Sequence, residues 1–448
     1  MPWGISDGDD VNAAYLKTLV EAALGDGNPA QGASYVVFYN GDESECQARN
    51  GMNGKIDYHG TNSATVLQAV QDALTSGGLI TIKGTHTIAA TTTIDTSHTS
   101  VMMEPNTRLN CTATPFTVSG ALHNVHFYGG RIHFNANSVD GIEFDTGSAR
   151  NISVNNMIFY HGGYDGRSLY IHPDSTTNLA LNDLTIDSAK KGILIDDENG
   201  SNHNINLKNI MIMSGAYDLT YALKVQNSGA STTAGIFVDG LTVQGNTGQN
   251  SDGIIIETTG AGGVAFVEFS KTFLYYMTGE AIKFVNPSGY ISEIKFNQTI
   301  ASIYGDNAKG FSFGGTYNDV HSIKLSDCTA QMHSTATGQI GFDFNTTNVQ
   351  GNLLHAHDIN AASTGLQVAV GCQATLWDVH IPAARITNNS TNSHIFSHEG
   401  MQTDFDMNDN IILDPKNHAA SALSGTKKLV EIKIGGVPYY FEVSPTKA

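Results

Sequence analysis

The two acidic residues of the segment 250–257, NSDGIIIE, are the first candidates for chemistry in this chain. Asp252 precedes an apolar run and Glu257 ends it. Similar segments recur along the chain, and each begins with a small residue that is followed by an apolar, a variable and an apolar residue. When the small residues are aligned, the positions just before them form a column, which reads Asp140, Arg167, Lys191, Tyr221, Asp252, Glu280, Lys309, Ile340 and Thr364.

Three residues of this column have side chains suited to catalysis. If neighbouring repeats stack as strands, Asp252 and Glu280 lie about 5 Å apart. Two carboxylates at that distance repel each other, so the pKa of one is raised and that acid stays protonated. One protonated and one ionised carboxyl group about 5 Å apart suit glycoside hydrolysis with retention of configuration. Lys309 could instead serve a lyase as a base, or hold the anion of a uronate.

The pattern therefore predicts Asp252, Glu280 and Lys309 as catalytic residues. Substrate-binding residues are expected beside them, in the column and at outward positions of the adjoining strands: Tyr221, Lys224, Glu257 and Lys283. The alternative is a purely structural role, because any such surface carries polar side chains in columns, and opposite charges one repeat apart avoid repulsion.

The elements that must position these residues are short strands. The repeated segments, from Gly141 to Gly365, follow one another at intervals of 24 to 31 residues, as in a solenoid. Further segments between them, such as NISVNNMIF from Asn151, alternate with period two. Two or three strands in about 28 residues predict an all-β chain, folded as a right-handed parallel β-helix around a continuous apolar interior. A β-sandwich would not keep one register through nine repeats.

Both ends of a solenoid need caps, because the end turns expose core and strand edges. Residues 63–74 are amphipathic and are followed by Gly77-Gly78, which predicts an N-terminal capping helix. Near the C-terminus, LVEIKIGGVPYYFEV predicts a β-hairpin that turns at Gly435-Gly436. We therefore expect an arm (1–30), a β-hairpin and capping helix (31–78), the parallel β-helix (79–390), and a C-terminal hairpin and oligomerisation region (391–448).

The segment GTNSATVLQAVQDALTSGGLITIKGTHTI, from Gly60, resembles the first part of the pectate-lyase-like β-helix superfamily. That superfamily includes polysaccharide lyases, glycoside hydrolases and phage tailspikes. The resemblance spans roughly residues 55–385 and implies the fold more than a function. Residues 7–24, and the ending of the type IKIGG-x-x-YY, resemble segments of phage tail-fibre and tailspike proteins. These resemblances imply that residues 1–30 bind other virion proteins and that the protein is a homotrimer.

The polygalacturonases of this superfamily allow a comparison by residue. Their motifs NTDG, DD and GHG correspond here to Asn250-Ser-Asp-Gly, Gly279-Glu280 and Lys309-Gly310. Asp252 thus matches an acid and Glu280 replaces one, but Gly279 stands in place of the second paired aspartate and Lys309 in place of the histidine. Their RIK motif has no counterpart in Gly341-Phe-Asp-Phe. The resemblance does not extend to polygalacturonase activity.

The acidic composition limits which classes of molecule the protein can bind. A net charge of -19 and a pI near 5.2 argue against nucleic acid and anionic membranes, and no apolar run is long enough to insert into a membrane. The N-terminus, MPWGISDGDD, lacks the features of a Sec-type signal peptide. Free, mostly buried thiols are expected at Cys46, Cys111, Cys328 and Cys372, and the alternative is a disulfide between two of them.

We expect no cofactor and no metal. Two patterns offer alternatives: a calcium site in the acidic turn of Asp196, Asp197 and Glu198, and a metal pair at His355 and His357.

Together these features favour a phage or archaeal-virus tailspike or fibre, located on the virion, that recognises a host-surface polysaccharide. Whether it also depolymerises that glycan stays open. One alternative is a free, extracellular polysaccharide lyase or glycoside hydrolase. The other is a purely structural virion spike.

Overall fold

The computed structural model describes residues 35–40, 44–145, 147–172, 175–197, 201–314, 319–345 and 348–397, and the backbone of two further strands near the C-terminus. The predicted arm at 1–30 lies outside the described residues, as does most of 391–448.

Parallel strands wind the chain into a solenoid of two sheets, so the predicted parallel β-helix is confirmed. The first sheet, here called the short-strand sheet, has twelve strands that follow one another in chain order. Its strands are Thr92–Ile94, Phe116–Val118, Ile142–Phe144, Leu169–Ile171, Lys191–Asp196, Tyr221–Asn227, Ile254–Thr258, Glu280–Val285, Lys309–Phe313, Ile340–Phe344, Thr364–Val368 and Ile386–Asn388.

The second sheet, here called the long-strand sheet, has 21 strands. They are Tyr35–Tyr39, Cys46–Asn50, Ile56–Gly60, Gly78–Ile82, Thr85–Ile88, Thr99–Met103, Arg108–Cys111, Leu122–Tyr128, Arg131–Phe134, Ser148–Asn155, Ile158–Tyr160, Ser175–Asp187, Ser201–Met213, Thr232–Gln244, Gly263–Met277, Tyr290–Ile303, Val320–His321, Ile323–Met332, Asn348–His357, Gln373–His380 and His394–Ser397.

The longest strands of this sheet bend because residues with positive φ interrupt them. Ser201–Met213, for example, contains Asn204 with a φ of 56° and Asn209 with a φ of 54°. Asparagine tolerates this left-handed conformation better than most residues, which explains its abundance in the second set of repeated segments. Each bend turns the strand, so one continuous strand forms two sides of a coil.

The interior consists of stacked apolar side chains in the register that the repeats predict. Ile254 pairs with Ile282, Ile282 with Phe311 and Phe311 with Phe342, and all four side chains are fully buried. The rings of Phe311 and Phe342 stack with centroids 4.8 Å apart. The small residue that opens each repeat is required by the coils themselves, because a Cβ atom at Gly253 would collide with the carbonyl oxygen of Ala281.

At the N-terminal end, the first three strands of the long-strand sheet pair antiparallel with one another. The first also pairs in parallel with Gly78–Ile82. Helix α1, Ser63–Ala73, begins at Asn62, whose side chain accepts hydrogen bonds from the N–H groups of Ala64 and Thr65. The buried side chains of α1 join the solenoid core. A 3₁₀ turn spans Ala383–Arg385, and the last two strands, Lys428–Ile434 and Val437–Val443, pair antiparallel.

The two edges of the short-strand sheet differ in their connections. The loops that follow its strands hold three to five residues where they are fully described, as at 119–121, 228–231, 259–262 and 389–393. The loops that precede its strands, here called the upstream loops, range from two residues (278–279) to nine (245–253). Variation is therefore concentrated at the edge where the predicted catalytic column begins.

Candidate functional site

Asp252 and Glu280 lie on neighbouring turns at the start of two strands of the short-strand sheet. The backbone N–H of Glu280 donates a hydrogen bond to Oδ1 of Asp252, at 2.8 Å. Glu280 in turn pairs in register with Lys309 of the next strand. The structure thus brings together all three residues that the column predicts as catalytic.

Gly279 leaves room for the carboxylate of Asp252. A Cβ atom at position 279 would collide with Oδ1 of Asp252, so no larger residue fits there in this arrangement. The absence of a second paired acid at Gly279 is therefore a packing requirement of the contact between Asp252 and Glu280.

The same aspartate contact occurs a second time in the column. Oδ1 of Asp140 accepts the backbone N–H of Arg167, at 2.9 Å, and both oxygens of Asp140 also accept hydrogen bonds from the Arg167 guanidinium. At two places along this edge, a carboxylate thus accepts a hydrogen bond from the backbone of the following turn. The hydrogen bond that joins two turns therefore explains the position of one carboxylate oxygen of Asp252, Oδ1.

The environment of Asp252 disfavours its charged form. Burial raises the pKa of this carboxyl group, and the charge of Glu280 raises it further. The hydrogen bond from the Glu280 backbone and the nearby Lys283 ammonium oppose that rise. The direction agrees with the expectation that one acid of the pair has a raised pKa, but burial is the main cause and repulsion by Glu280 a lesser one.

Two lysines and a buried aspartate complete the cluster. Nζ of Lys283 lies 2.5 Å from Oε2 of Glu280, and the hydrogen bond with Glu280 is the main cause of the raised pKa of Lys283. Nζ of Lys309 lies 4.0 Å from Oε1 of Glu280 and 2.6 Å from Oδ2 of Asp343. Positive and negative groups therefore alternate along the outward face of three successive strands.

Sequence reasoning missed Asp343. Only 1% of its surface is exposed, and its Oδ1 has no hydrogen-bond partner among the described residues. Burying an unpaired carboxylate oxygen is unfavourable, and the ion pair between Oδ2 and the Lys309 ammonium offsets part of that cost. The available signal was its variable position in Gly341-Phe-Asp-Phe, which faces outward like that of Lys283 and Ser312.

The predicted substrate-binding residues occupy the same face. Lys224 and Glu257, on neighbouring strands, form an ion pair. We name the charged band as the set of outward-facing ion pairs that crosses five strands: Lys224, Glu257, Glu280, Lys283, Lys309 and Asp343. Tyr221 differs, because only 6% of its surface is exposed and burial strongly raises its pKa, so little of its ring is accessible to a ligand.

A second polar cluster lies nearer the N-terminus on the same sheet. The Arg167 guanidinium lies 3.5 Å from the ring centroid of Tyr170, and the His172 ring stacks on Tyr170 at 3.7 Å. Two groups this close to one centroid must cover opposite faces of the ring. Glu143 accepts a hydrogen bond from His172 at 3.1 Å, which lowers the pKa of the Glu143 carboxyl group. Both faces of Tyr170 are thus occupied by protein.

The two predicted metal sites do not form a set of three ligands among the described residues. Asp196 accepts hydrogen bonds from Gln226 and from the backbone and hydroxyl of Ser228. Glu198 lies outside the described residues. The rings of His355 and His357 stack with centroids 5.7 Å apart. Within the described ranges, no group of three or more His, Cys, Asp or Glu side chains could hold a metal ion.

No known protein family and no curated protein matches the sequence. Among solved structures, the A-module of the mannuronan C-5 epimerase AlgE4 of Azotobacter vinelandii is similar at 12% identity and a TM-score of 0.47, covering 73% of this chain and 92% of that one. A tailspike protein of E. coli bacteriophage HK620, in complex with a pentasaccharide, matches at 13% identity and a TM-score of 0.39, covering 75% and 74%. The surface adhesin PfbA of Streptococcus pneumoniae matches at 11% identity and a TM-score of 0.36, covering 85% and 94%. Likenesses at this level concern the fold alone.

Proposed function

We propose that this chain is the β-helical shaft of a virion appendage, and that it binds a host-surface polysaccharide along the charged band. The observation that carries the proposal is the band itself, in which lysines and carboxylates alternate over successive strands and all but the buried Asp343 are partly exposed. A polysaccharide offers hydroxyl groups that both donate and accept hydrogen bonds. The band meets them with carboxylate acceptors and ammonium donors, and hydrogen bonds to charged groups are the stronger kind.

The repeat of the solenoid also suits an extended polymer. Successive strands present equivalent positions at a spacing of about 4.8 Å, so one chain lying across them meets a similar surface at each turn. Because the groups are fixed on strands and held by one another, little side-chain entropy is lost when a ligand binds. Several copies of the protein on one particle would add avidity.

Binding is tested with purified protein and polysaccharides from the cell surface of the host. Lys283→Ala removes a central ammonium group of the band, and we expect it to lower affinity about tenfold or more. Lys295→Ala is the matched control, because Lys295 also forms an ion pair with a glutamate, Glu268 of the preceding turn, but on the other sheet. Equal losses in both variants, or no binding by the wild-type protein, would contradict the proposal.

The placement on a virion is supported by the resemblance of residues 7–24 to attachment segments of phage appendages. The genes beside its own provide a first test. Capsid or portal genes would agree with the proposal, whereas carbohydrate-uptake genes would favour a free extracellular enzyme. We also propose a homotrimer, for which light scattering should give three times the chain mass of 47.7 kDa.

Hydrolysis of the bound glycan is the second candidate function, and the raised pKa of Asp252 favours it. A protonated Asp252 could donate a proton to the leaving oxygen, while Glu280 would act as the nucleophile. Lys309 is paired with Asp343, which suits holding a substrate anion better than abstracting a proton. Depolymerisation should therefore be abolished in Asp252→Asn and Glu280→Gln. Undiminished cleavage by both variants would exclude these two acids as catalytic residues. If the wild-type protein binds the polysaccharide but does not cleave it, the function that remains is adhesion.

A further inference from the structure

Tyr276 lies in a β-bulge immediately upstream of Glu280. Leu274 pairs with Ala301 and Met277 with Ile303, so Tyr275 and Tyr276 together lie opposite one residue, Ser302. Tyr276 adopts a φ of 58°, in the left-handed region that bulky side chains rarely occupy. Bulges redirect side chains and are frequent beside active sites. The side chain of Tyr276 is also accessible, since 39% of its surface is exposed.

The ring of Tyr276 belongs to a row of aromatic rings on three consecutive turns. Its centroid lies 4.9 Å from that of Tyr304, with the planes at 61°. Tyr304 in turn lies 4.5 Å from His333. We call these three residues the aromatic wall. Tyr304 and His333 begin the upstream loops of their turns, and Tyr276 lies two residues before the upstream loop of its own turn, so the wall stands along the edge from which the charged band starts.

The upstream loop beside Tyr276 is shorter than its neighbours. It is only residues 278–279, whereas the preceding turn has residues 245–253 there and the next two turns have 304–308 and 333–339. Fewer residues are therefore available to cover Tyr276, whose side chain stays partly exposed. The same short loop leads to Glu280, where the next strand begins.

We propose that the aromatic wall is a subsite for one pyranose ring of the polysaccharide, with the face of Tyr276 against the C–H groups of the sugar. The face of an aromatic ring is electronegative, and it attracts the weakly positive hydrogens of C–H groups. A pyranose with equatorial hydroxyls presents such a C–H face, while its hydroxyls point outward toward Glu280 and the loops. This inference rests on the proposed function and assigns particular residues to its recognition step.

The test uses the full-length protein and a panel of immobilised bacterial capsular and O-chain oligosaccharides. Tyr276→Gly removes the ring and relieves the positive φ, so its thermal stability should be equal to or above that of wild type. We expect affinity for the oligosaccharides bound by wild type to fall at least about tenfold. Tyr276→Phe keeps the ring, and its affinity should stay within about twofold of wild type.

Tyr275→Ala is the matched control, because Tyr275 occupies the same bulge and has 38% of its surface exposed. Its affinity should equal that of the wild-type protein. Binding by Tyr276→Gly at wild-type affinity would overturn the aromatic wall while leaving the charged band intact. Equal losses in Tyr275→Ala and Tyr276→Gly would also overturn it, because they would indicate a general effect of the bulge. If wild type binds none of the oligosaccharides, the proposed function fails first and the subsite with it.

Discussion

At the scale of single residues, Asp252 combines a structural and a candidate chemical role in one carboxyl group. One oxygen accepts the backbone N–H of Glu280, and the same group has a raised pKa because it is buried. Substitution can separate the two roles, because asparagine keeps an acceptor oxygen but neither ionises nor donates an acidic proton.

We expect Asp252→Ala to lower the free energy of unfolding by about 1–3 kcal/mol, because it leaves the Glu280 N–H without its acceptor. Asp252→Asn should be much less destabilising. Urea denaturation of both variants measures the difference. Equal losses would show that the negative charge, and not the hydrogen bond, joins these turns.

The pH dependence of Asp252 has a definite sign. Because its folded-state pKa is raised, the stability it contributes is present below the unfolded pKa and is lost as the pH rises through the folded value. Asparagine does not titrate. The stability of Asp252→Asn relative to wild type should therefore be greater at about pH 7 than at about pH 3, below the ordinary aspartate pKa. Denaturation at both pH values tests this, and the opposite trend would contradict the raised pKa.

The four cysteines give another prediction at this scale. All four are buried. Burial raises the pKa of Cys328 to about 12, and it also raises the pKa of Cys111. The thiolate is the reactive form, so a thiol reagent should not modify the native protein during the time in which it modifies all four cysteines of the unfolded chain. Rapid reaction of a cysteine in the folded protein would contradict this burial.

At the scale of elements, the N-cap of α1 connects a local hydrogen bond to the packing of the helix against the core. Asn62→Ala removes the acceptor for the N–H groups of Ala64 and Thr65 and should cost about 1 kcal/mol. Asn62→Ser, which keeps a capping oxygen, should retain most of that stability. Thermal unfolding measures both variants, and an unchanged midpoint for Asn62→Ala would show that α1 does not need its cap.

The sequence predicts the strands of the short-strand sheet better than it predicts their surroundings. The small residue and the two apolar positions of each repeat locate these strands and their register. The small residue is required where neighbouring turns touch, as at Gly253, and the apolar residues are required by burial, as at Ile254. The bulge at Tyr276 has no such signal, since its cause is a mismatch with the next turn. Asp343 is paired with Lys309, a residue 34 positions away, and no local sequence pattern reveals a contact over that separation.

At the scale of the whole molecule, stability depends on one continuous stack of apolar side chains. Phe311→Ala removes a fully buried ring that contacts Phe342, and we expect it to cost about 3–5 kcal/mol. Phe266→Ala removes the same group where 62% of it is exposed and should change stability by no more than about 0.5 kcal/mol. Chemical denaturation compares the two, and similar losses would contradict a single core.

The unequal loops at the two edges of the short-strand sheet have a consequence for change over time. Insertions and deletions at the upstream edge alter the outline of that edge without shifting the register of any strand, because the strands are hydrogen-bonded to the next turn and not to the loop tips. The surface beside the charged band can therefore change without a change of fold. Segments grafted between Gln244 and Ile254, where nine residues are already accommodated, should be displayed beside the charged band on an unaltered scaffold.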